Sequence, residues 1–292
     1  MSSQFVVALF GGVILGSTYA LITLGLVLIY RATGTLNFAH GQLMLLAAFL
    51  VGKWTTDNSV PFFLAMPAAI VVTGALGALI YPLVLRRTAG MPHFMPVIAT
   101  MGFAAMADGA FGIMFGANQY AIDVPGLPTG TVTIAGARLA SSALLLGAMS
   151  IVIALAVAAV LRVTSIGRRL RAAGQNALLA SQGGISVHRI FIGSWAVAAG
   201  LAAIAGIAYG ATNVVTPSIT ALALLAFPAM LLGGMDSVEG AIVGGVGMGV
   251  LQSFTSSYLG GEVVNVVTYS LLLVVLLVRP EGLLGTKTVR RV

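Results

Sequence analysis

Six polar side chains stand inside or at the ends of apolar stretches, where hydrogen bonding and ligand binding are the chemistry open to them. They are Asn37, His40, Gln42, Asp108, Asn213 and Thr216. Asp108 is the one acidic residue within its long apolar segment. Such a carboxylate holds a cation, is neutral, or is paired near the end of its helix. A charge at the centre of a membrane helix costs at least ~2.5 kcal/mol, and such residues usually face a bundle interior or water.

Metal and covalent chemistry find little support in the sequence. The chain has no cysteine, which excludes disulfides, thiolate metal sites and cysteine catalysis. Its three histidines, His40, His93 and His188, lack metal-ligand spacing. No G-x-x-x-x-G-K-[ST] phosphate-binding loop is present. We therefore predict no catalytic residue, no metal site and no cofactor bound by this chain.

The composition is that of an all-α, polytopic integral membrane protein. Apolar residues make up 59% of the 292 residues and charged residues only 7%, whereas soluble domains carry about 25% charged residues. The net charge of +7 is better explained by membrane topology than by nucleic acid, so no nucleic-acid partner is predicted. The first apolar run follows MSSQ without a basic region, and we interpret it as a retained span rather than a cleaved signal.

Nine segments approach the roughly 20 apolar residues that a spanning helix needs. They are residues 5–30, 38–53, 61–85, 95–116, 140–162, 191–212, 218–235, 239–258 and 263–279. The second is short, and the pair 218–235 and 239–258 is interrupted by Pro228 and several glycines. Eight spans are therefore as plausible as nine, with one or more segments broken or re-entrant.

Positive charge predicts the orientation of these segments. Basic residues concentrate after the first span, in 86–94, in 162–189 and in the tail, so that all but Lys53 and Arg138 of the 14 lie there. We place these regions in the cytoplasm, with the C-terminus inside. The loops 54–60, 117–139, 213–217 and 259–262 are then external. Within 117–139, TVTIAGARL predicts a short strand, either in a plain connection or in a segment that touches an external partner.

The long polar segment SIGRRLRAAGQNALLASQGGISVHR, residues 165–189, is predicted to form a cytoplasmic helix over Arg168–Gln182. Gly183 and Gly184 mark its end. Such a helix either docks on a soluble motor or lies on anionic lipid headgroups.

Four blocks in the same order resemble the permeases of branched-chain amino-acid ABC transporters, of the LivH type. Asn37, Phe38, Ala39, His40 and Gly41 match the family's first signature without a gap. The segment 165–189, the run LLAFPAMLLGGMDSVEGAIVGG and the tail VRPEGLLG resemble its coupling loop, late signature and ending, and PVIATMGFAAM adds to the likeness. The resemblance covers nearly the whole chain. Asp108 departs from it, because relatives more often carry an uncharged polar residue there.

The resemblance implies a single permease domain over 1–292, with an ATPase-coupling loop at 163–190, in a bacterial inner membrane. Coupling residues carried over from the family are Gly167, Arg168, Arg171, Ala172, Ala180, Gly184 and Ile185. The implied partners are a second related permease, two ABC ATPase subunits that hold ATP and magnesium, an extracytoplasmic substrate-binding protein and lipid. The implied activity is import of branched-chain amino acids, although relatives also take up amides and urea.

The six polar residues then become candidates for the translocation pathway or its gate. Breaks at corresponding places in two halves point to such a pathway, and 34–41 and 233–245 are the candidates here. Asn37 and His40 are interpreted as bonding backbone groups freed at the break, as stabilising a gate, or as contacting substrate. The alternative is a purely structural role, in which they form a buried network that fixes a tight turn near the cytoplasmic face. Two other functions stay open. They are an ion- or proton-coupled transporter that acts alone through Asp108, and a passive channel or structural subunit.

Overall fold

The computed structural model describes residues 3–88, 90–92, 94–116 and 118–286. His93 and the basic tail residues Lys287, Arg290 and Arg291 lie outside them. Within this part the helices are α1 (Ser3–Thr33), α2 (His40–Thr56), α3 (Phe62–Leu83), α4 (Met95–Phe115), α5 (Ser141–Val163), α6 (Ser165–Gln175), α7 (Ala177–Gln182), α8 (Val187–Gly210), α9 (Thr220–Gly233), α10 (Val238–Leu259) and α11 (Val264–Val278). Two strands, β1 (Thr131–Ile134) and β2 (Ala137–Ala140), accompany them.

Each of the nine predicted segments contains one long helix, and six of these helices are long and apolar enough to cross a membrane. The six are α1, α4, α5, α8, α3 together with the turn that continues it to Thr88, and α11 together with the turn that precedes it from Gly261. The other three are the segments predicted to be weak. The fold is thus that of a multi-pass membrane protein, while the count of eight or nine spans stays a prediction.

The described chain divides into two compact units. The first takes residues from 1–27, 128–155 and 225–292, and the second from 28–127 and 156–224. The single permease domain over 1–292 stays a prediction.

Glycines bring α1 and α10 into backbone contact in the first unit. A Cβ atom on Gly16 would lie 2.7 Å from Val246 Cα, and one on Gly245 would lie 2.6 Å from Ala20 Cα. Gly249 lies against the backbone of Gly16 in the same way. These small residues of α10 form a packing face that permits the close helix approach common in membranes.

A buried polar chain also ties α1, α10 and α11 together. The Tyr19 hydroxyl donates to Gln252 Oε1 at 2.8 Å, and Gln252 Nε2 donates to Thr268 Oγ1 at 3.1 Å. Gln252→Leu removes both of these buried hydrogen bonds, so we expect a loss of about 1–3 kcal/mol of stability. Thermal unfolding in detergent measures it, with Thr268→Val as the milder comparison. If Gln252→Leu melted at the same temperature as wild type, the hydrogen bonds between Tyr19, Gln252 and Thr268 would contribute nothing to stability.

The predicted strand in TVTIAGARL is half of a hairpin. β1 and β2 pair antiparallel, with Thr131 opposite Ala140 and Ile134 opposite Ala137. Ala135 (φ 48°) and Gly136 (φ 81°) form the two-residue turn, and positive φ at both positions matches the twist of the two strands. The hairpin is a small departure from the all-α prediction.

In the second unit α2 forms the centre. All residues from His40 to Gly52 are buried, and α2 packs against α3 and α8, which also pack against each other. A helix that is apolar on all sides and buried along most of its length suits a bundle interior. Polar side chains at its start are therefore held inside the protein.

Three of the loops predicted to be external meet at one end of this unit. Tyr120 and Val215 form an antiparallel bridge, and the Tyr120 hydroxyl donates to Asp57 Oδ2 at 3.1 Å. The loops 54–60 and 213–217 and the segment around Tyr120 thus lie together, as one side of a membrane requires. Which side this is stays a prediction.

Candidate functional site

The chain leaves α1 in a sharp turn at Gly34, and the segment that leads into α2 begins at Asn37. Gly34 has φ +68°, and its N–H donates to the Tyr30 carbonyl at 2.8 Å, which is the glycine-terminated end common for helices. Asn37 Oδ1 accepts the Ala39 N–H at 3.0 Å. The asparagine thereby satisfies one of the amides that the start of a helix leaves unpaired.

Thr100 of α4 satisfies other backbone groups of this break. Its hydroxyl accepts the Phe38 N–H at 3.3 Å and lies 2.8 Å and 3.4 Å from the Val97 and Leu36 carbonyls. His40 does not share this role, because both of its buried ring nitrogens lack a hydrogen-bond partner among the described residues. The interpretation that His40 bonds freed backbone groups is therefore wrong. The sequence analysis missed Thr100, which lies 63 residues from Asn37.

Gln42 and Asp108 are the two predicted pathway residues that the structure brings together. Gln42 Nε2 donates to both carboxylate oxygens of Asp108, at 3.3 Å and 3.2 Å. Gln42 is buried in α2, whereas Asp108 lies on the exposed side of α4. Gln42 Oε1 is buried without a partner among the described residues.

Two cavities border this pair. One, of about 280 Å³, is lined by Phe38, Gln42, Met101, Ala104, Ala105, Asp108, Thr220 and Leu224. The other, also of about 280 Å³, is lined by Leu45, Phe49, Asp108, Phe111, Gly112, Gly116, Pro217 and Thr220. Asp108 and Thr220 line both cavities. Small concave sites with apolar walls and a few convergent polar groups are typical of small-molecule binding.

Gly41 allows Thr220 to lie beside both cavities. A Cβ atom on Gly41 would lie 2.6 Å from the Thr220 carbonyl oxygen and 3.0 Å from its Cα. The glycine thus allows the first residue of α9 to lie directly against α2. Thr220 stands in the polar stretch TPSIT after Pro217, and that signal could have identified it.

Asn213 and Thr216 do not line either cavity. Asn213 Nδ2 donates to the Tyr209 carbonyl at 3.2 Å and to Thr212 Oγ1 at 3.0 Å. The Thr216 hydroxyl lies 2.7 Å from that of Ser218. Their assignment to the pathway, like that of Asn37 and His40, stays a prediction.

The predicted cytoplasmic helix over Arg168–Gln182 is two short helices. Asn176 separates α6 from α7 and accepts the Leu179 N–H on its side chain at 3.0 Å, which caps the start of α7. The expectation of one continuous helix is therefore wrong at Asn176, because an asparagine side chain competes for backbone N–H groups.

The end of α7 lies where the sequence predicts it. Gly184 has φ +79°, its N–H donates to the Ser181 carbonyl, and Ile185 N–H donates to that of Ala180, each at 3.0 Å. This is the bond pair of a glycine-terminated helix with a left-handed residue after its end.

Two of the predicted coupling residues fasten α6 to the end of α5. Arg171 Nη1 donates to the Leu161 carbonyl at 3.0 Å, and Arg168 Nη1 to that of Val163 at 3.2 Å. Gly167 lies against the Leu161 backbone, where a side chain would collide. Ala172 is half-buried and Ala180 buried. α6 is thus hydrogen-bonded to the end of α5, and a cavity of about 360 Å³ borders Arg169, Gly184 and Arg189 nearby.

The family model of the permease component of branched-chain amino acid transport systems matches residues 8–276. The chain belongs to this permease family. The permease is 30% identical to the high-affinity branched-chain amino acid transport system permease protein LivH of Escherichia coli strain K12, over 100% of both chains. It is also 30% identical to BraD of Pseudomonas aeruginosa, a permease protein of the same kind of system, over 97% of each chain.

A solved structure shares the permease's fold. A chain in the structure of PsaBC from Streptococcus pneumoniae in complex with Fab superposes with a TM-score of 0.51 and 16% identity. The match covers 96% of the permease and 97% of that chain. At this identity the likeness concerns the fold alone.

Proposed function

We propose that this permease is the membrane-spanning subunit of an ATP-driven ABC importer for branched-chain amino acids. An extracytoplasmic binding protein delivers the substrate, and two ATPase subunits, which bind ATP and magnesium, drive the cycle from the cytoplasm. The chain crosses the inner membrane with eight or nine segments and has its C-terminus inside. The permease itself does not hydrolyse ATP.

The observation that carries this proposal is the attachment of α6 to the end of α5, with the exposed helix α7 directly after it. Leu178 and Leu179 of α7 are 68% and 62% exposed, and this short helix lies outside the six candidate spans. An exposed apolar pair beside arginines suits a protein partner better than water. Because Arg168 and Arg171 tie α6 to the end of α5, a movement of the partner is transmitted directly to the spanning helix.

The exposed side of α4 supports a second permease subunit. Gly102 and Gly109 lie two helical turns apart there and are exposed, and a Cβ atom on either would meet no heavy atom within 4 Å. Asp108 lies on the same side. Lipid cannot stabilise a carboxylate, whereas small residues allow another helix to approach closely.

Co-purification and uptake test the function. Affinity purification from the native membrane should recover two ATPase subunits and a second permease, and the reconstituted complex should take up labelled leucine only with ATP and the binding protein. Removal of any one component should reduce uptake to background. Leucine uptake by this chain alone, driven by an ion gradient, would overturn the proposal in favour of a secondary transporter.

A further inference from the structure

Asp108 has a carboxylate with too few partners. A carboxylate offers about four acceptor positions, and among the described residues only the Gln42 amide donates to it, in two long bonds from one nitrogen. No basic side chain of the described chain lies within ion-pair distance. A carboxylate within a membrane segment usually faces the bundle interior or a water-filled cavity and is paired there.

Gln42 holds this carboxylate from the buried side. Its side chain is 8% exposed and lines the cavity with Asp108, yet its Oε1 has no partner among the described residues. Buried polar atoms almost always have hydrogen-bond partners, so an exception needs an explanation. The remaining acceptor positions of the Asp108 carboxylate, which Gln42 holds in place, suit a group that carries several N–H donors and a positive charge.

The walls beside Gln42 and Asp108 are apolar. Phe38, Met101 and Leu224 border one cavity with Ala104 and Ala105, and Leu45, Phe49 and Phe111 border the other. A molecule with a charged amine at one end and a short aliphatic group at the other satisfies both kinds of surface. The two cavities follow α4 from Met101 to Gly116, about 22 Å at the helical rise, with Asp108 bordering both.

We infer that Asp108 and Gln42 form a binding subsite for the ammonium group of the amino acid during its passage. The aliphatic side chain of the substrate packs in the adjoining apolar cavities, which makes their lining residues determinants of specificity. This inference rests on the proposed function, since it names the part of the substrate that the site holds.

Charge removal at Asp108 tests the subsite in the reconstituted complex. For Asp108→Asn we expect leucine uptake to fall at least about tenfold, the scale of one charge-assisted hydrogen bond, while subunit assembly and ATP hydrolysis stay near wild type. Asp108→Glu should retain most uptake, and Asp123→Asn, in the loop 117–139, should retain all of it. Normal uptake by Asp108→Asn, or equal loss by the Asn and Glu variants, would overturn the inference.

Filling the cavity gives an independent readout. Ala105→Leu should reduce uptake of leucine more than uptake of alanine, whereas Ala110→Leu, exposed on the same helix but outside both cavities, should change neither. Equal uptake ratios in the two variants would contradict the assignment of the apolar walls.

Replacement of sodium by potassium should leave wild-type uptake unchanged, and a sodium requirement that Asp108→Asn abolishes would assign the site to the metal ion instead. Failure of the wild-type complex to import leucine would refute the proposed function itself, which separates the two tests.

Discussion

Replacement of Leu178 and Leu179 together by aspartate is expected to abolish ATP-driven uptake and leave the permease in the membrane. Both side chains are more than 60% exposed on α7, so their loss removes little packing inside the chain. Their burial against an ATPase subunit would place two carboxylates in an apolar contact, at several kcal/mol without a compensating partner. Uptake in proteoliposomes and the amount of co-purified ATPase measure the effect.

Two other variants make this result interpretable. The double alanine variant keeps an apolar surface and should retain part of the uptake. Val132→Asp, at a 43% exposed residue of β1, introduces a charge on the hairpin that is predicted to lie on the opposite side of the membrane, and should leave the ATPase bound. If the double aspartate variant transported leucine normally, α7 would not be the docking helix.

The second large effect is expected for Gly245→Leu, which should nearly eliminate folded permease from the membrane. A side chain at this position enters the backbone of Ala20 on α1, and neither helix backbone can move aside as a side-chain tip would. Overpacking of this kind typically costs about 1–3 kcal/mol and occasionally more. The fraction of monodisperse protein after detergent extraction, measured by size-exclusion chromatography, reports the loss.

Gly247→Leu is the matched control on the same helix. Gly247 is exposed, and a Cβ atom there would meet no heavy atom within 4 Å. The variant should accumulate as well as wild type, because the new side chain occupies open space and leucine favours a helix more than glycine does. Equal losses in both variants would show that leucine disturbs α10 itself and not its contact with α1.

Most elements could be predicted from the sequence because membrane helices leave a strong local signal. The apolar runs of about 20 residues located each long helix within a few residues, and the glycine pair at 183–184 located the end of α7. The hairpin was only half predicted, since the alternation in TVTIAGARL is short. The division into α6 and α7 was missed because it depends on one residue, Asn176, whose side chain caps the start of α7.

The candidate site was predicted less completely, for a different physical reason. The sequence marked Gln42 and Asp108 as polar residues in apolar surroundings, but 66 positions separate them and nothing local indicates that they meet. Thr100 was overlooked because a threonine within a membrane helix usually bonds its own preceding turn, and here its hydroxyl also reaches the break before α2.

The sequence by itself determined that this chain is a helical membrane protein of the permease family, because composition, apolar periodicity and ordered motifs are properties of the chain before it folds. Only the tertiary structure decided which polar groups share a cavity and that Arg168 and Arg171 fasten α6 to α5. It also decided which glycines lie in contact with the backbone of a neighbouring helix. These depend on the distances between atoms of remote segments, and those distances are set by the packing of α2 within its unit and of α1 against α10.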